Sequence, residues 1–178
     1  RFDPDSARSL LSLAGSPNGK GIPEMKLLTV PVYAELGAFV ARQLEDVGLS
    51  VKVEAVQRGT LLEMNAKGEA SFFRASWICD YPDPENYLSV FYGKNPAPPN
   101  YTRYRDPVFD SLYQLSMAET HDSLRHDLYV RMDQLVMNNA PVIPLWYDMV
   151  IHLLNPRLRG FYANALNMPD LRTAWKEK

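Results

Sequence analysis

The stretch 74–80 delivers a cation, an indole and a carboxylate in close succession: Arg74, Trp77 and Asp80. Such a set suits a zwitterion, with Asp80 taking an ammonium group, Arg74 a carboxylate, and Trp77 forming an apolar wall. Tyr81 follows directly and is counted with them as a candidate ligand contact. Residues 70–77 read as a strand, so Asp80 falls just beyond a carboxyl end, where open α/β sheets bind ligands. Two observations pull the other way. Strand alternation puts Phe72, Arg74 and Ser76 on one face and Phe73, Ala75 and Trp77 on the other, which separates the guanidinium from the indole. Asp80-Tyr81-Pro82-Asp83-Pro84 is also a turn sequence, in which an aspartate has a structural use of its own.

Other chemistry finds little support. His121, His126 and His152 lack the i, i+4 spacing of a helical zinc site, and no carboxylate accompanies them in a ligand pattern. No serine sits in a G-x-S-x-G elbow. Cys79 is the single cysteine, so neither an internal disulfide nor a cysteine cluster can form; it reads as a small, half-buried apolar residue. Gly15-Ser16-Pro17-Asn18-Gly19-Lys20-Gly21 superficially resembles a phosphate loop, but its glycine spacing is one short and Gly21 replaces the required Ser or Thr. It also follows a helix, whereas phosphate loops follow a strand. The expectation is a protein that is not an enzyme and carries no metal or cofactor. A formal net charge of -2 supplies no cationic field for nucleic acid. Hydrophobic content of 46% and charged content of 22% are those of a globular chain, and no apolar run approaches the roughly 20 residues of a membrane span.

The elements that must position residues 74–81 follow from periodicity. A first helix is capped by Asp3, starts at Pro4, shows Leu10, Leu11 and Ala14 on its apolar face, and stops at Gly15. A strand over 26–30 leads to a helix over 34–47 with Leu36, Phe39, Val40, Leu44 and Val47 inward. Residues 50–56 alternate as a strand with one wetter face. Thr60 and Glu63 read as a capping box for a helix that closes at Gly68, and the strand over 70–77 completes a β-α-β-α-β run. Right-handed crossovers then give a largely parallel sheet. Residues 77–109 form a long loop rich in proline, tyrosine and phenylalanine, of the kind that more often has a function than not. Two helices follow, one marked by Val108, Phe109, Leu112, Tyr113 and Ser116, the other capped by Asp122 and marked by Leu124, Leu128, Tyr129, Met132, Leu135 and Val136. Residues 141–154 read as a strand-rich run, and the apolar residues beyond them argue against a solvated linker.

These residues also carry a resemblance. Trp77-Ile78-Cys79-Asp80-Tyr81-Pro82-Asp83-Pro84-Glu85-Asn86 resembles the W-x-x-D-Y-x-D-P-x-N stretch of family 5 solute-binding proteins, the oligopeptide and dipeptide receptors of ABC importers. Phe2-Asp3-Pro4 through Ala14-Gly15 is similar to that family's helix at the corresponding place. Tyr104-Arg105-Asp106-Pro107-Val108-Phe109-Asp110 is similar to its Y-x-N-P-x-F-D turn, with Asp106 in place of asparagine. Ala140-Pro141-Val142-Ile143-Pro144-Leu145-Trp146-Tyr147 and Arg159-Gly160-Phe161 match two further segments, in order, over nearly the whole chain.

The resemblance implies an α/β fold, a periplasmic-binding-protein-like lobe of type II with a mixed, mostly parallel sheet flanked by helices. It makes residues 1–150 the second lobe of a two-lobed clamshell, incomplete at its N-terminus. Residues 151–178 become a tail that returns to the missing first lobe. Arg1 is not a natural start, so the expectation is a truncated polypeptide, which leaves export open. The resemblance assigns Asp80 to the ligand's α-amino group, Trp77 to a wall flanking the peptide, and Arg74 to the ligand carboxylate as in some members. It implies a peptide ligand, the permease subunits of an ABC transporter as partners, and a periplasmic or other extracytoplasmic location, with or without a lipid anchor. Ser76 stands where the family has glycine. Some members carry a disulfide cysteine one position before Cys79, so that disulfide is not carried over. Relatives on the same scaffold bind nickel complexes, oligosaccharides or haem, or act as sensor domains; a hydrolase or metalloenzyme is the alternative from another class. Without the first lobe, Leu153, Leu154, Leu158, Phe161, Tyr162, Leu166, Leu171 and Trp175 are expected to fold back on the lobe or to pair with a second copy.

Overall fold

The computed structural model describes residues 3–164, 166 and 168–178; Phe2, which opens the first matching segment, lies outside the described residues. The chain forms two compact units, Arg1–Ser76 and Trp77–Lys178.

In the first unit, α1 (Pro4–Leu13) starts as its sequence dictates, with the Asp3 carboxylate accepting from the Ser6 N–H at 3.0 Å. No residue of α1 is fully buried, however: Leu10 and Leu13 face water and Leu11 is half-buried, so the expected apolar face is only partly covered. A three-stranded parallel sheet follows, in the order β2 (Val51–Ala55), β1 (Met25–Thr29), β3 (Phe72–Phe73). Successive side chains of the central strand serve opposite faces. Leu27 packs with Ala41 and Val51 beside α2 (Ala34–Glu45), and Leu28 packs with Leu61 and Ala70 beside α3 (Arg58–Lys67).

The details of α2 differ from the periodic reading. Gly37 and Ala41 are the buried members of the helix, and Phe39 is 60% exposed. A Cβ at Gly37 would sit 2.9 Å from Val53 Cγ1, so the helix lies against the sheet at the distance that a glycine permits. Gly19 is constrained more severely. Its φ is +74°, and a Cβ there would lie 1.8 Å from the Gly48 carbonyl oxygen, so two turns meet backbone to backbone. The expected capping box does not form: α3 begins at Arg58 after Gln57, which places Thr60 inside the helix and leaves Glu63 to pair with Lys67 at 2.6 Å. β3 is also shorter than expected and ends at Phe73.

In the second unit, α4 (Glu85–Leu88) is a single turn, and α5 (Pro107–Ala118) and α6 (Asp122–Asn139) form the principal packing pair. Phe109 and Met132 are fully buried between them, with Leu88, Leu112, Tyr113, Tyr129 and Val136 around. Asp106 caps α5 by accepting from the Val108 and Phe109 N–H groups at 2.8 and 3.0 Å. Asn139 then donates to Tyr104 Oη and Asp106 Oδ2 at 2.7 and 3.0 Å, tying the end of α6 to the start of α5. Asp122 is the first residue of α6 and not its cap. The aromatic loop proves partly structural: Phe91, Tyr92 and Tyr104 pack on this core, with Tyr92 stacked on Tyr113 at 4.4 Å.

The strand expected over 141–154 does not form. A strand needs a neighbour for its backbone groups, and among the described residues none pairs with this run, so Ile143, Tyr147, Met149, Ile151 and Leu153 stand in water. The tail closes instead on itself. β4 (Leu158–Arg159) pairs antiparallel with β5 (Trp175–Lys176), fastened by an Arg159–Glu177 ion pair at 2.6 Å and by Thr173 Oγ1 donating to the Gly160 carbonyl at 2.8 Å. Leu158, Phe161 and Leu166 become half-buried, whereas Leu153, Tyr162, Leu171 and Trp175 remain exposed.

These burial differences are measurable. Met132→Ala is expected to lower the unfolding free energy by about 2–5 kcal/mol, and Phe39→Ala to change it by less than about 0.5 kcal/mol. Urea denaturation of the two variants should therefore separate them clearly, and equal losses would contradict the packing described.

Candidate functional site

Residues 77–87 contain the chemistry singled out in the sequence, and their conformation is set by three polar side chains. Asn86 is 4% exposed, and its Oδ1 accepts two hydrogen bonds: from Trp77 Nε1 at 2.8 Å and from the Asp80 backbone N–H at 3.1 Å. Asp83 opens α4, its Oδ1 accepting from the Glu85 N–H at 2.9 Å, an aspartate-type turn closing on the backbone two residues on. The same carboxylate accepts from Tyr129 Oη at 3.1 Å and pairs with Arg125, both on α6. Glu85 is buried and accepts from two phenols, Tyr81 Oη and Tyr113 Oη. The loop is thereby fastened to α5 through Glu85 and to α6 through Asp83.

The titration behaviour follows these contacts. Burial alone would raise the Asp83 carboxyl, but the Glu85 N–H, Arg125 and Tyr129 outweigh it and hold the group below its usual range. Tyr129 is pushed up to about 12, first by burial and then by the Asp83 carboxylate that its hydroxyl donates to. Its hydrogen bond to Glu85 raises the Tyr81 phenol in the same way. Tyr87 is raised chiefly by its hydrogen bond with the buried Cys79.

Asp80 differs from its acidic neighbours. Its backbone is held, its side chain is exposed, and its carboxylate has no hydrogen bond or ion pair among the described residues. Trp77 is half-buried and Tyr81 is 44% exposed with its hydroxyl fixed, so both present part of their ring surface. The structure therefore brings Trp77, Asp80 and Tyr81 into one hydrogen-bonded loop. Arg74 belongs to the first unit. There its guanidinium lies over the Tyr33 ring, 3.5 Å from the centroid, with Nη1 3.5 Å from Ser76 Oγ. Its backbone N–H donates to the Leu28 carbonyl at 2.9 Å and continues the pairing of β3 with β1.

Residue pattern alone leaves Asp83, Glu85 and Asn86 without a role, although Asp83 and Asn86 are fixed positions of the W-x-x-D-Y-x-D-P-x-N match and Glu85 lies between them. The usable signal is two acids and an amide at the start of a helical turn, followed by an aromatic-rich helix pair able to supply donors. Among the described residues no group of His, Cys, Asp and Glu is placed to hold a metal ion, and no helix is long and apolar enough to cross a membrane.

The profile of the bacterial extracellular solute-binding proteins, family 5 Middle, matches residues 1–99, more than half of the 178. The chain belongs to this family. Among curated relatives, the dipeptide-binding protein DppE of Bacillus subtilis is 25% identical over 151 residues, covering 84% of this chain and 27% of DppE. The heme-binding protein A of Haemophilus influenzae is 26% identical over 165 residues, 90% of this chain and 30% of that protein. The chain thus spans about three-tenths of the length of the curated relatives it matches. Among solved structures, the periplasmic binding protein DppA of Helicobacter pylori in complex with peptide STSA superposes with a TM-score of 0.83 at 25% identity, over 100% of this chain and 35% of that one. The fold is that of a type II periplasmic binding protein, α/β with a parallel sheet, as the family resemblance implied.

The Asp83 contacts carry a pH signature. A carboxyl held below its unfolded value adds stability that is fully present above the unfolded pKa, near 3.8, and is lost as pH falls through the folded one. Asp83→Asn should cost about 1–2 kcal/mol at pH 7, discounted for partial exposure. Denaturation midpoints at pH 7 and pH 3 should show that gap shrinking in acid; an unchanged gap would rule out the ionised Asp83 as its source.

Proposed function

We propose that this chain is part of the second lobe of an extracytoplasmic binding protein that captures peptides by their free amino terminus for an ABC importer. The observation that carries the reading is the contrast within one loop. Asp83 and Glu85 are engaged by Arg125, Tyr129, Tyr81 and Tyr113, while Asp80 is held only through its backbone and turns an exposed carboxylate outward. A carboxylate in that state suits a ligand ammonium, because the charge-assisted bond that it forms displaces no internal partner. Trp77 then flanks the first residue of the peptide, and the Tyr81 ring adds a second aromatic surface. Arg74 is assigned to a ligand carboxylate, with the Tyr33 ring supporting its guanidinium. The family supports a binding protein over a hydrolase, and the peptide-binding relatives support the ligand class.

In this reading residues 1–150 form the lobe and residues 151–178 continue toward the first lobe, which lies elsewhere in the full polypeptide. The permease subunits of the transporter are its partners, and the location is periplasmic or otherwise outside the cytoplasm. One relative is named a heme-binding protein at a similar identity, so haem is the second ligand to test.

Calorimetry on the full-length polypeptide tests the assignment. Asp80→Ala should weaken binding of a free-amine peptide by about 1.5–3 kcal/mol, the range for a hydrogen bond to a charged group, and leave its N-acetylated counterpart nearly unchanged. Equal losses for both peptides would remove Asp80 from the amino-terminal role. Saturable haem binding with no peptide binding would replace the ligand class altogether.

A further inference from the structure

We propose that Asn86 is the positioning residue of this site: its single Oδ1 sets the spacing between the Trp77 wall and the Asp80 carboxylate and so fixes selectivity for a free amino terminus. This role rests on the peptide reading above and falls to a residue that motif spacing leaves unassigned.

The geometry is specific. One oxygen accepts from Trp77 Nε1 at 2.8 Å and from the Asp80 N–H at 3.1 Å, so indole and aspartate are referred to the same point. Asn86 is 4% exposed, which removes water as a competing donor. Its own backbone is immobilised. The Asn86 N–H donates to the Asp83 carbonyl at 3.1 Å, and the Asn86 carbonyl accepts from Ser89 Oγ at 2.7 Å, at the start of α4. The reference point is therefore tied to α6 through Asp83, whose carboxylate is engaged by Arg125 and Tyr129. An oxygen acceptor is required at this position, because both partners are N–H donors with no accepting capacity. An apolar side chain would strand the two donors, releasing the indole and letting the Asp80 backbone drift from its aim. A ligand ammonium rewards a carboxylate only within a narrow range of distance and direction, so the loss falls on peptides that present the ammonium.

The test measures the affinity ratio of a free-amine peptide to its N-acetylated form in the full-length polypeptide, for the wild type, Asn86→Ala and Asn86→Asp. Asn86→Asp keeps an oxygen acceptor at the same place. Loss of the two bonds in Asn86→Ala should reduce the ratio about tenfold, the scale of one to two lost hydrogen bonds, and Asn86→Asp should retain it. The Trp77 indole N–H, followed by ¹⁵N NMR, should exchange fast with water in Asn86→Ala and remain protected in Asn86→Asp. A folded Asn86→Ala that keeps the ratio would overturn the proposal, as would one that weakens both peptides equally, since that pattern is merely structural. Should Asn86→Ala not fold, Asn86→Asp decides alone: a retained ratio supports the acceptor role and a lost ratio refutes it. Asp80→Ala serves as the separate control. If it leaves the ratio intact, the ammonium reading itself is wrong, whatever Asn86 does.

Discussion

Asp83, Glu85 and Asn86 carry two carboxylates and an amide into a part of the second unit where water is scarce, and polar groups there require partners. The partners come from elements far apart in sequence: Tyr113 from α5, Arg125 and Tyr129 from α6, Trp77 from the start of the unit. Each of the three side chains accepts from at least two donors, so removing any one partner would weaken its fixing and leave part of its accepting capacity unused. The loop from Trp77 to Tyr87 is for that reason not free to take other shapes. Its proline content stiffens it, but the half-buried Asp83 and the buried Glu85 determine where it lies.

The two units are held by different means. The first relies on a sheet covered on both faces, where the alternation of Leu27 and Leu28 divides the core between α2 and α3. Its polar contacts are mostly exposed pairs, such as Lys26 with Glu54, of the kind worth little. The second combines an aromatic core around Phe109 and Met132 with the polar ties described. Apolar burial supplies the larger stabilising share in both. The polar ties supply uniqueness in the second unit, because they fix which residue of a flexible loop meets which residue of a helix.

Much of this was legible in the residues. The β-α-β-α-β order, the parallel sheet, the Asp3 cap and the helix pair follow from punctuation and period, and the W-x-x-D match led to the loop that stands out structurally. What periodicity missed has identifiable causes. It placed Phe39 inward because it counts apolar residues, whereas contact with the sheet selects the small residues Gly37 and Ala41. It read Thr60 and Glu63 as a cap because that spacing fits a helix start, although α3 begins two residues earlier. It expected a strand over 141–154 from composition, but a strand is a property of a pair, and composition cannot supply the neighbour. Asn86 stands in the match but received no role there, because a buried amide that accepts from two donors is a three-dimensional circumstance that spacing does not reveal.

The exposed run around Tyr147 and Leu153 has a consequence for the chain in concentrated salt. Sulfate and phosphate are excluded from protein surfaces and strengthen the tendency of apolar area to leave water. Here several of the most exposed apolar side chains follow one another along an extended segment, with Tyr147 at 99% and Leu153 at 95% exposure, while Leu13, Val32 and Met117 add apolar surface elsewhere. Salting-out will therefore act on one short stretch well before it acts on the folded cores. Adsorption to a phenyl or butyl matrix will draw strongly on this run, because Tyr147, Met149, Ile151 and Leu153 present their side chains to the matrix within one short stretch.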